Sequence, residues 1–352
     1  MSQNREQWGS KLGFILAASG SAVGIGNIWK YPHMAGQNGG AAFTLVYLAC
    51  ILVVGLSIVI AEFVIGRKTQ LSPVGAFEQL APSTNWKWVG FLGVASAFVI
   101  LSFYGVVGGW VLKYVIVSIT GGFNELAGDP AAAGNVFNTF ITDTWSPIIY
   151  QVFFMAFCVW VIVNGVKGGI EKWSKIMMPL IVVLLAVLAV RGMTLEGGMK
   201  GISFLFNPRF EDLTANSIVL ALGHSFFTVS LGMGTMITYG SYLNRKQNLL
   251  NAALWVIALD TAIAMLAGIA IFTTVFALGA NPAEGPGLIF VVLPSVFPQL
   301  AAGTLWGTIF FVLLFMAALT SAISILEVVT AYFIDQKGWS RKKATIQFGA
   351  VI

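Results

Sequence analysis

The chain has 352 residues, of which 57% are hydrophobic and only 9% are charged, and its formal net charge is +5. Soluble domains carry about 25% charged residues, so this composition excludes an ordinary soluble protein and indicates an all-α polytopic membrane protein in a lipid bilayer. The polar first residues, MSQNREQWGSKLG, run directly into an apolar segment, which is not the pattern of a cleavable signal peptide. Both cysteines, Cys50 and Cys158, fall within apolar segments, so we expect neither a disulfide nor a cysteine metal site.

Apolar stretches of about 20 residues, the length that crosses a bilayer as a helix, predict eight membrane segments in chain order. These segments cover residues 11–36, 41–66, 88–120, 147–164, 172–191, 215–242, 250–279 and 304–334. A ninth begins near residue 340 and the sequence stops inside it, so we expect a chain truncated within helix nine. After segment seven, an apolar stretch too short to span lies between Pro and Gly residues, which predicts a re-entrant or surface helical hairpin.

Basic residues predict the orientation of the chain. With the N-terminus in the cytoplasm, most of the 19 lysines and arginines fall on the cytoplasmic side, as the positive-inside rule requires. We therefore expect a multi-pass protein of the plasma (inner) membrane with a cytoplasmic N-terminus. The same distribution explains the basic net charge, so no nucleic-acid partner is expected.

Two of the predicted segments are interrupted by glycines. Residues 20–32 read GSAVGIGNIWKYP, and within residues 223–242 the residues Ser230, Gly232 and Gly234 lie in the middle of segment six. Backbone polar groups cannot stay unpaired in lipid, so a break requires partners from protein, water or a ligand. Half-helix ends offer N–H groups to a carboxylate, and freed carbonyls suit a hard cation. The alternative is that the glycines only allow close helix packing, but a matching pair of breaks favours a binding site.

Several long motifs resemble a known transporter family. NREQWGSKLGFILAASGSAVGIGNIWKYP, AEFVIGR, GGIEKWSKIMMP, SFFTVSLGMGTMITYGSY and LTSAISILEVVTAYFID resemble neurotransmitter:sodium symporters, in particular the leucine-transporter-like branch of bacterial amino-acid transporters. The resemblance extends over essentially the whole chain. It implies an inverted five-plus-five helix repeat with discontinuous helices one and six, within one transmembrane domain (1–352). The first repeat would be 11–191 and the incomplete inverted second repeat 215–352.

The resemblance also implies sodium-coupled symport of amino acids into the cell by alternating access, with two Na⁺ sites and no organic cofactor. It assigns the first sodium to Ala22, Asn27, Thr228 and Asp260. It assigns the second sodium to Gly20, Val23, Ala317, Thr320 and Ser321. The gating residues that it implies, which close the two ends of the pathway, are Arg5, Trp8, Lys30, Tyr104, Phe227 and Asp335.

The resemblance places the amino-acid substrate in a pocket lined by both broken segments. Its residues are Ser21, Ala22, Gly24, Ile25, Gly26, Ile100, Tyr104, Phe227, Thr228, Ser230, Met233, Ser321, Ser324 and Ile325. Monoamine-carrying relatives have an Asp at the position of Gly24, so the Gly leaves room for the substrate's own carboxylate. Met233 replaces a Phe of the leucine carrier in an otherwise apolar pocket, and flexible Met admits varied shapes. These features predict bulky hydrophobic or aromatic L-amino acids, with small neutral amino acids as the alternative.

Several residues depart from the pattern of the family or stand out as intramembrane acids. Asp260 replaces an Asn common at the first sodium site, and we expect its carboxylate to bind sodium and also make chloride unnecessary. His224 replaces a Gln of chloride-dependent relatives, which leaves proton counter-transport as an open alternative. Glu62 matches a family acid that supports the break in segment one. Glu327 replaces a Gln of the leucine carrier and is expected to hydrogen-bond across a helix break.

Two other function classes fit some of these residues. A sodium-conducting channel needs rings of carbonyls or charges along a pore, whereas this sequence has one asymmetric pair of breaks. An intramembrane hydrolase would draw on Ser230, His224 and Asp260, but the sequence contains neither a nucleophile elbow nor an H-E-x-x-H motif. The sequence therefore favours a symporter over both classes.

Overall fold

Helices alone make up the regular structure in the computed structural model, which describes residues 5–279 and 287–352. We number fifteen helices within these described ranges. The first eight are α1 Lys11–Ala22, α2 Gly26–Gln37, α3 Ala41–Thr69, α4 Pro73–Leu80, α5 Lys87–Ile119, α6 Pro130–Thr142, α7 Ser146–Val163 and α8 Val166–Met193. The other seven are α9 Met199–Phe206, α10 Ala215–Thr228, α11 Thr235–Ser241, α12 Leu249–Ala277, α13 Leu288–Gln299, α14 Gly303–Lys337 and α15 Arg341–Val351.

Length and composition identify the helices that can cross a membrane. Among the described residues, α3, α5, α7, α8, α12 and α14 qualify, and α1 and α2 together qualify as one span bent by 50°. The bounds agree with the predicted segments to within a few residues, except that α8 begins at Val166 instead of residue 172. The added residues Val166–Glu171 form π-helical turns, and four of the six are buried. Their lysine and glycines resemble a loop in composition, whereas packing inside the bundle keeps them helical.

Segments one and six are both interrupted, as their glycines predict. Residues 23–25 separate α1 from α2, and residues 229–234 separate α10 from α11. In the second break, Ser230 has a φ of 54° and Gly232 and Gly234 have a φ of 79°, in the left-handed region that ends a helix. Backbone groups are thereby released from helical hydrogen bonds in both segments.

Helix α14 lies at the centre of the bundle and is mostly buried. It packs against α1, α5, α8 and α15, while α1 also packs against α8 and α12. The first break therefore lies inside the bundle. Helices α5 and α7 instead expose many large apolar side chains, as expected for surfaces in contact with lipid.

The predicted hairpin after segment seven falls partly on residues 280–286, which lie outside the described residues. Its described part is the apolar helix α13. The Phe290 ring of α13 stacks on Phe137 of α6 with centroids 5.1 Å apart. Tyr114 of α5 donates a 3.0 Å hydrogen bond to the Phe290 carbonyl. These contacts hold α13 at the end of the bundle where α14 begins, opposite the end where α14 terminates.

Candidate functional site

A cavity of about 20 Å³ lies between the two helix breaks. This volume is sufficient for about one water molecule. Its twelve lining residues all belong to the set predicted for the substrate, and they are Ser21, Ala22, Gly24, Gly26, Ile100, Tyr104, Phe227, Thr228, Ser230, Met233, Ser321 and Ile325. The structure therefore brings residues from α1, α2, α5, α10, α14 and both breaks to one point.

Two residues of the predicted substrate set, Ile25 and Ser324, lie beside the cavity instead of lining it. The Ile25 amide donates a 3.2 Å hydrogen bond to the Tyr104 hydroxyl. The Ser324 hydroxyl accepts a hydrogen bond from Ser21 Oγ at 2.7 Å and donates one to the Ser321 carbonyl at 2.7 Å. Ser324 thus supports the wall from behind.

The backbone at Gly24 passes very close to two hydroxyl groups of the cavity. A Cβ atom at this position would lie 2.4 Å from Ser321 Oγ and 2.9 Å from Tyr104 Oη. Real Cβ atoms do not make such short contacts, so only glycine fits between α5 and α14 here. This close approach places the N–H groups after Gly24 beside the cavity.

The first predicted sodium site is centred on the Asp260 carboxylate of α12, which is fully buried. Asn27 Nδ2 donates to Asp260 Oδ1 at 2.7 Å, and Thr228 Oγ1 lies 3.0 and 3.2 Å from the two carboxylate oxygens. The Tyr47 hydroxyl donates to Asp260 Oδ2 at 3.2 Å. These donors are neutral, and a buried carboxylate among neutral groups is a place for a cation. Ala22 lies nearby in the cavity wall.

The second predicted sodium site lies between the first break and α14. Thr320 Oγ1 and Ser321 Oγ each donate to the Val23 carbonyl at 3.3 Å, and Thr320 Oγ1 also lies 3.0 Å from the Ala317 carbonyl. Gly20 lies against the same turn, because a Cβ there would be 3.4 Å from Thr320 Cβ. Neutral oxygens of the type that hard cations prefer therefore converge at this point.

One further carbonyl joins this oxygen cluster. Ser321 Oγ lies 3.1 Å from the Ser21 carbonyl, which also accepts a hydrogen bond from Ser230 Oγ at 3.0 Å. The resemblance assigns Ser21 to the substrate alone. The structure instead gives its backbone a position between the substrate cavity and the second sodium site.

Three of the predicted gating residues, Arg5, Trp8 and Asp335, lie at one end of the bundle, which we call the Arg5 end. Arg5 forms an ion pair with Asp335 at the end of α14 and donates to Ser241 Oγ at 2.7 Å. The Trp8 indole donates a 3.0 Å hydrogen bond to the Tyr239 carbonyl. The N-terminal segment is therefore tied to α11 and α14.

At the opposite side of the cavity, Lys30 and Phe227 lie in contact. Lys30 Nζ is 4.2 Å from the centroid of the Phe227 ring, within the range of a cation–π interaction. The same ring would lie 3.0 Å from a Cβ at Gly26. Phe227 therefore separates Lys30 from the cavity.

His224, one turn before Thr228 on α10, is buried beside two aromatic rings. Its ring centroid lies 6.2 Å from Tyr31, in a stacked arrangement, and 5.2 Å from Tyr47. Tyr47 in turn contacts Asp260. His224 is thus a neighbour of the first predicted sodium site.

The prediction for Glu62 needs correction. The resemblance implies that Glu62 supports the break in segment one, but its Oε1 accepts a 2.8 Å hydrogen bond from the Gly232 amide in the second break. Because α3, which carries Glu62, packs against α11, its carboxylate faces segment six.

A group of charged residues at the Arg5 end is more extensive than the sequence predicts. Glu327 accepts a 2.5 Å hydrogen bond from the Tyr242 hydroxyl and a 2.7 Å one from Arg341. Arg341 Nε also contacts Glu6 at 2.8 Å, and Glu6 accepts from the Val166 amide at 2.6 Å. The signal in the sequence was Glu327 itself, because an acid within a membrane segment requires a partner.

Comparison with known proteins identifies the family. The model of the sodium:neurotransmitter symporter family matches residues 5–129 and 140–352. The chain belongs to this family. Its members are sodium-coupled transporters and not enzymes, and the family together with the apolar helices makes the chain a multi-pass membrane protein.

Individual known proteins resemble the chain over nearly its whole length. The uncharacterized sodium-dependent transporter YhdH of Bacillus subtilis is 42% identical, over 99% of this chain and 77% of the relative. An uncharacterized sodium-dependent transporter of Haemophilus influenzae is 36% identical, over 98% and 77% of the two chains. The crystal structure of MhsT in complex with L-phenylalanine has a TM-score of 0.91 and 50% identity, and the match covers 99% of this chain and 79% of MhsT.

Proposed function

We propose that this symporter couples sodium entry to the uptake of amino acids by alternating access. The observation that carries the proposal is the cavity between the two breaks, where backbone N–H groups and hydroxyls meet, and where the lining residue Thr228 contacts the Asp260 carboxylate at 3.0 Å. In this proposal the N-terminus is cytoplasmic, the membrane is the plasma (inner) membrane, and residues 11–191 and 215–352 are inverted repeats. The two broken segments would be the first helices of these repeats.

In this proposal, substrate and sodium are coupled because the substrate carboxylate is itself a ligand of the first sodium. The amides of Ile25 and Gly26 begin α2, where the helix dipole favours a negative group, and the Tyr104 hydroxyl lies beside them. We infer that these groups bind the substrate carboxylate, which then completes the first sodium site with Asn27 and Asp260. Substrate and sodium would each stabilise the binding of the other by the same factor.

The second sodium, held between Val23, Thr320 and Ser321, increases the driving force. One charge moving through about 100 mV contributes roughly 2.3 kcal/mol. Two sodium ions with a neutral zwitterion therefore contribute about 4.6 kcal/mol, which supports roughly thousandfold accumulation at 1.4 kcal/mol per factor of ten. One sodium ion would support less than about a hundredfold.

The wall of the cavity favours an uncharged substrate side chain. Ile100, Phe227, Met233 and Ile325 line it, and no Lys, Arg, Asp or Glu is among the described lining residues. The match to MhsT, solved with L-phenylalanine, supports bulky hydrophobic or aromatic amino acids. Such a side chain requires the 20 Å³ cavity to widen. The flexible Met233 is the residue whose movement would provide this space.

A second candidate substrate class is small neutral amino acids, which the small cavity volume favours. An uptake screen with liposome-reconstituted protein separates the two classes. Labelled phenylalanine is offered with an inward sodium gradient or with choline, and each of the twenty amino acids is tested as a competitor. We expect saturable, sodium-dependent uptake that aromatic and branched residues inhibit most strongly. Inhibition mainly by glycine and alanine supports the second class, and uptake unaffected by sodium refutes symport.

We further propose that transport is independent of chloride, because Asp260 supplies a fixed negative charge beside the first sodium. Replacing chloride by gluconate on both sides of the membrane should leave the initial uptake rate unchanged. The matched measurement replaces sodium by choline in the same vesicles and should abolish uptake. Uptake that collapses in gluconate would refute the role assigned to Asp260.

A further inference from the structure

Glu171, the last residue of the π-helical turns of α8, is buried against the residues before α1 and has no role in the transport cycle proposed above. Its side chain is 3% exposed. Its carboxylate accepts hydrogen bonds from the Gly9 amide at 2.6 Å, from Ser10 Oγ at 2.8 Å and from Lys175 Nζ at 2.5 Å. Two of these three donors belong to the residues immediately before α1, more than 160 positions away along the chain.

The Glu171 carboxylate also lies directly against the first turn of α1. Ser10 is the N-cap of α1, and its hydroxyl accepts a 3.0 Å hydrogen bond from the Gly13 amide. A Cβ at Gly13 would lie 2.1 Å from Glu171 Oε1 and 2.3 Å from its carboxyl carbon. The carboxylate therefore occupies space that exists only because residue 13 has no side chain. Cap, glycine and acid form one contact that fixes the start of the helix.

Helix α1 connects this contact to the second predicted sodium site. The helix has twelve residues, so at about 1.5 Å per residue it is roughly 18 Å long. Its last turn carries Gly20, and its C-cap is Val23, whose carbonyl meets Thr320 and Ser321. Because the break after Ala22 separates α1 from α2, the orientation of α1 is set by its own contacts. A change at the start of a rigid helix displaces the carbonyls at its end.

We propose that Glu171 is a positioning residue for sodium, which holds the first turn of α1 and thereby sets the position of the carbonyls at the second sodium site. This inference rests on the proposed function for the identity of the ion. Reciprocity then requires that sodium binding stabilise the contact of Glu171 with Gly9. Loss of that contact must weaken sodium binding by the same factor.

Hydrogen–deuterium exchange of the full chain, titrated with sodium alone, tests the proposal. The two regions compared are residues 9–13, at the Glu171 contact, and residues 20–27, at the first break. In the wild type, sodium should slow exchange in both regions, with the same half-maximal concentration. In Glu171→Gln, that concentration should rise about tenfold, the loss expected when one hydrogen bond to a charged group is removed. Choline chloride at equal ionic strength is the salt control.

A second variant reaches the same contact from the other side. Gly13→Ala places a methyl group where the carboxylate lies, so it should produce a shift similar to that of Glu171→Gln. Because both changes remove one contact, the double variant should shift the sodium concentration no further than either single variant. Glu78→Gln, a change of an exposed acid on α4, should leave the sodium concentration at its wild-type value.

Three results would overturn the proposal. If exchange at residues 9–13 does not respond to sodium in the wild type, the proposal is wrong. It is also wrong if Glu171→Gln accelerates exchange at 9–13 but leaves the sodium concentration within twofold of wild type, because the role is then only structural. Should Glu171→Gln not fold, Ser10→Ala removes one donor, and an unchanged sodium concentration overturns the proposal. No amino acid is present, so an error in the substrate class cannot produce any of these results.

Discussion

At the scale of single residues, the two predicted sodium sites differ in charge. The first contains the buried Asp260 carboxylate, whereas carbonyls and the hydroxyls of Thr320 and Ser321 make up the second. A site made only of neutral oxygens binds a cation through a few ion–dipole contacts, so each hydroxyl contributes a large share. Removing a hydroxyl side chain should therefore weaken sodium binding more at the second site than at the first.

Thr320→Ala/Ser321→Ala removes both hydroxyls from the second site. An interaction of a polar group with a charge contributes about 1.5–3 kcal/mol. Two such losses sum to about 3–6 kcal/mol, so we expect the sodium concentration for half-maximal uptake to rise by at least roughly a hundredfold, at 1.4 kcal/mol per factor of ten. Uptake of labelled phenylalanine over a range of sodium concentrations measures this change.

The chain offers a matched control for this variant in the adjacent pair Thr273 and Thr274 on α12. Their hydroxyls donate to carbonyls of their own helix, at 2.7 Å to Ile269 and 2.8 Å to Ala270. Thr273→Ala/Thr274→Ala should leave the sodium dependence unchanged. If both double variants behave like the wild type, sodium is not bound by Thr320 and Ser321.

Gly24→Ala tests the close approach of the first break to α5 and α14. The added methyl would lie 2.4 Å from Ser321 Oγ and 2.9 Å from Tyr104 Oη, so the break must move away from the cavity. Overpacking of this kind costs about 1–3 kcal/mol, which predicts roughly five- to a hundredfold weaker substrate binding. Equilibrium binding of labelled phenylalanine in sodium measures it. Gly223→Ala, where a Cβ contacts nothing within 4 Å, is the control. Equal affinities would contradict the assignment.

At the scale of elements, Arg341 and Glu327 connect α15 to α14 and, through Tyr242, to the end of α11. Glu327 is fully buried, while 14% of the Arg341 side chain is exposed. Arg341→Met leaves a buried carboxylate without its cation, which costs about 3–5 kcal/mol. We expect a clearly lower melting temperature in detergent. Adding Glu327→Gln removes the uncompensated charge and should restore most of the loss.

The exposed pair of Arg209 and Asp212 provides the comparison for this prediction. Both side chains are about half exposed, and such surface pairs contribute only about 0–1 kcal/mol. Arg209→Met should therefore hardly change the melting temperature. An equal decrease in melting temperature for Arg209→Met and Arg341→Met would mean that the buried ion pair stabilises the fold no more than the surface pair does.

The elements themselves were largely predictable from the sequence. Hydropathy predicted the membrane helices to within a few residues, because a helix satisfies its own backbone hydrogen bonds in lipid and shows itself as a long apolar stretch. The glycines of residues 20–26 and 230–234 predicted both breaks. The predicted start of α8 was wrong because the composition of Val166–Glu171 is that of a polar loop. These residues are nevertheless helical, and Glu171 is buried against the residues before α1. Such a contact joins residues far apart in sequence and leaves no local pattern.

For the site, too, the residues were predictable from local sequence motifs, whereas their long-range contacts were not. Every described cavity residue was in the substrate set, because the motifs carry their position along the chain into the structure. Side-chain directions were not predictable, so Ser324 lies behind the wall and Glu62 faces the second break. The contacts of Glu6 and Arg341 were missed for a third reason. The positive-inside rule already accounted for the charge of Arg341, which concealed its contacts with Glu327 and Glu6.

At the scale of the whole molecule, the two sides of the cavity are closed to different degrees. Toward the Arg5 end, the ion pair of Arg5 with Asp335 and the buried Trp8 lie below the sodium sites. Toward the other side, the partly buried Phe227 ring and Lys30 lie over the cavity. In the proposed alternating-access cycle, Phe227 would move to open one side, and the contacts at the Arg5 end would break to open the other.

The number of sodium ions per cycle is a property of the whole molecule, and it determines the voltage at which net transport stops. Consider vesicles with equal sodium on both sides, no pH difference and a tenfold excess of phenylalanine inside. Net flux should vanish at an interior potential of about −30 mV for two ions and about −59 mV for one, from the 59 mV per tenfold ratio for one charge. Potassium gradients with valinomycin set the voltage.

We expect the value for two ions. A reversal near −59 mV would fit either one sodium ion or two sodium ions exchanged for one proton, because each moves one net charge, and a second measurement distinguishes these two cases. At zero voltage and equal pH, the same tenfold excess of phenylalanine is balanced by about a threefold sodium ratio for two ions and a tenfold ratio for one. A reversal near −59 mV with a threefold sodium ratio would reveal proton exchange and bring His224 into the mechanism. A reversal near −59 mV with a tenfold ratio would show that only one sodium moves, and the cluster of Val23, Thr320 and Ser321 would then not carry cargo.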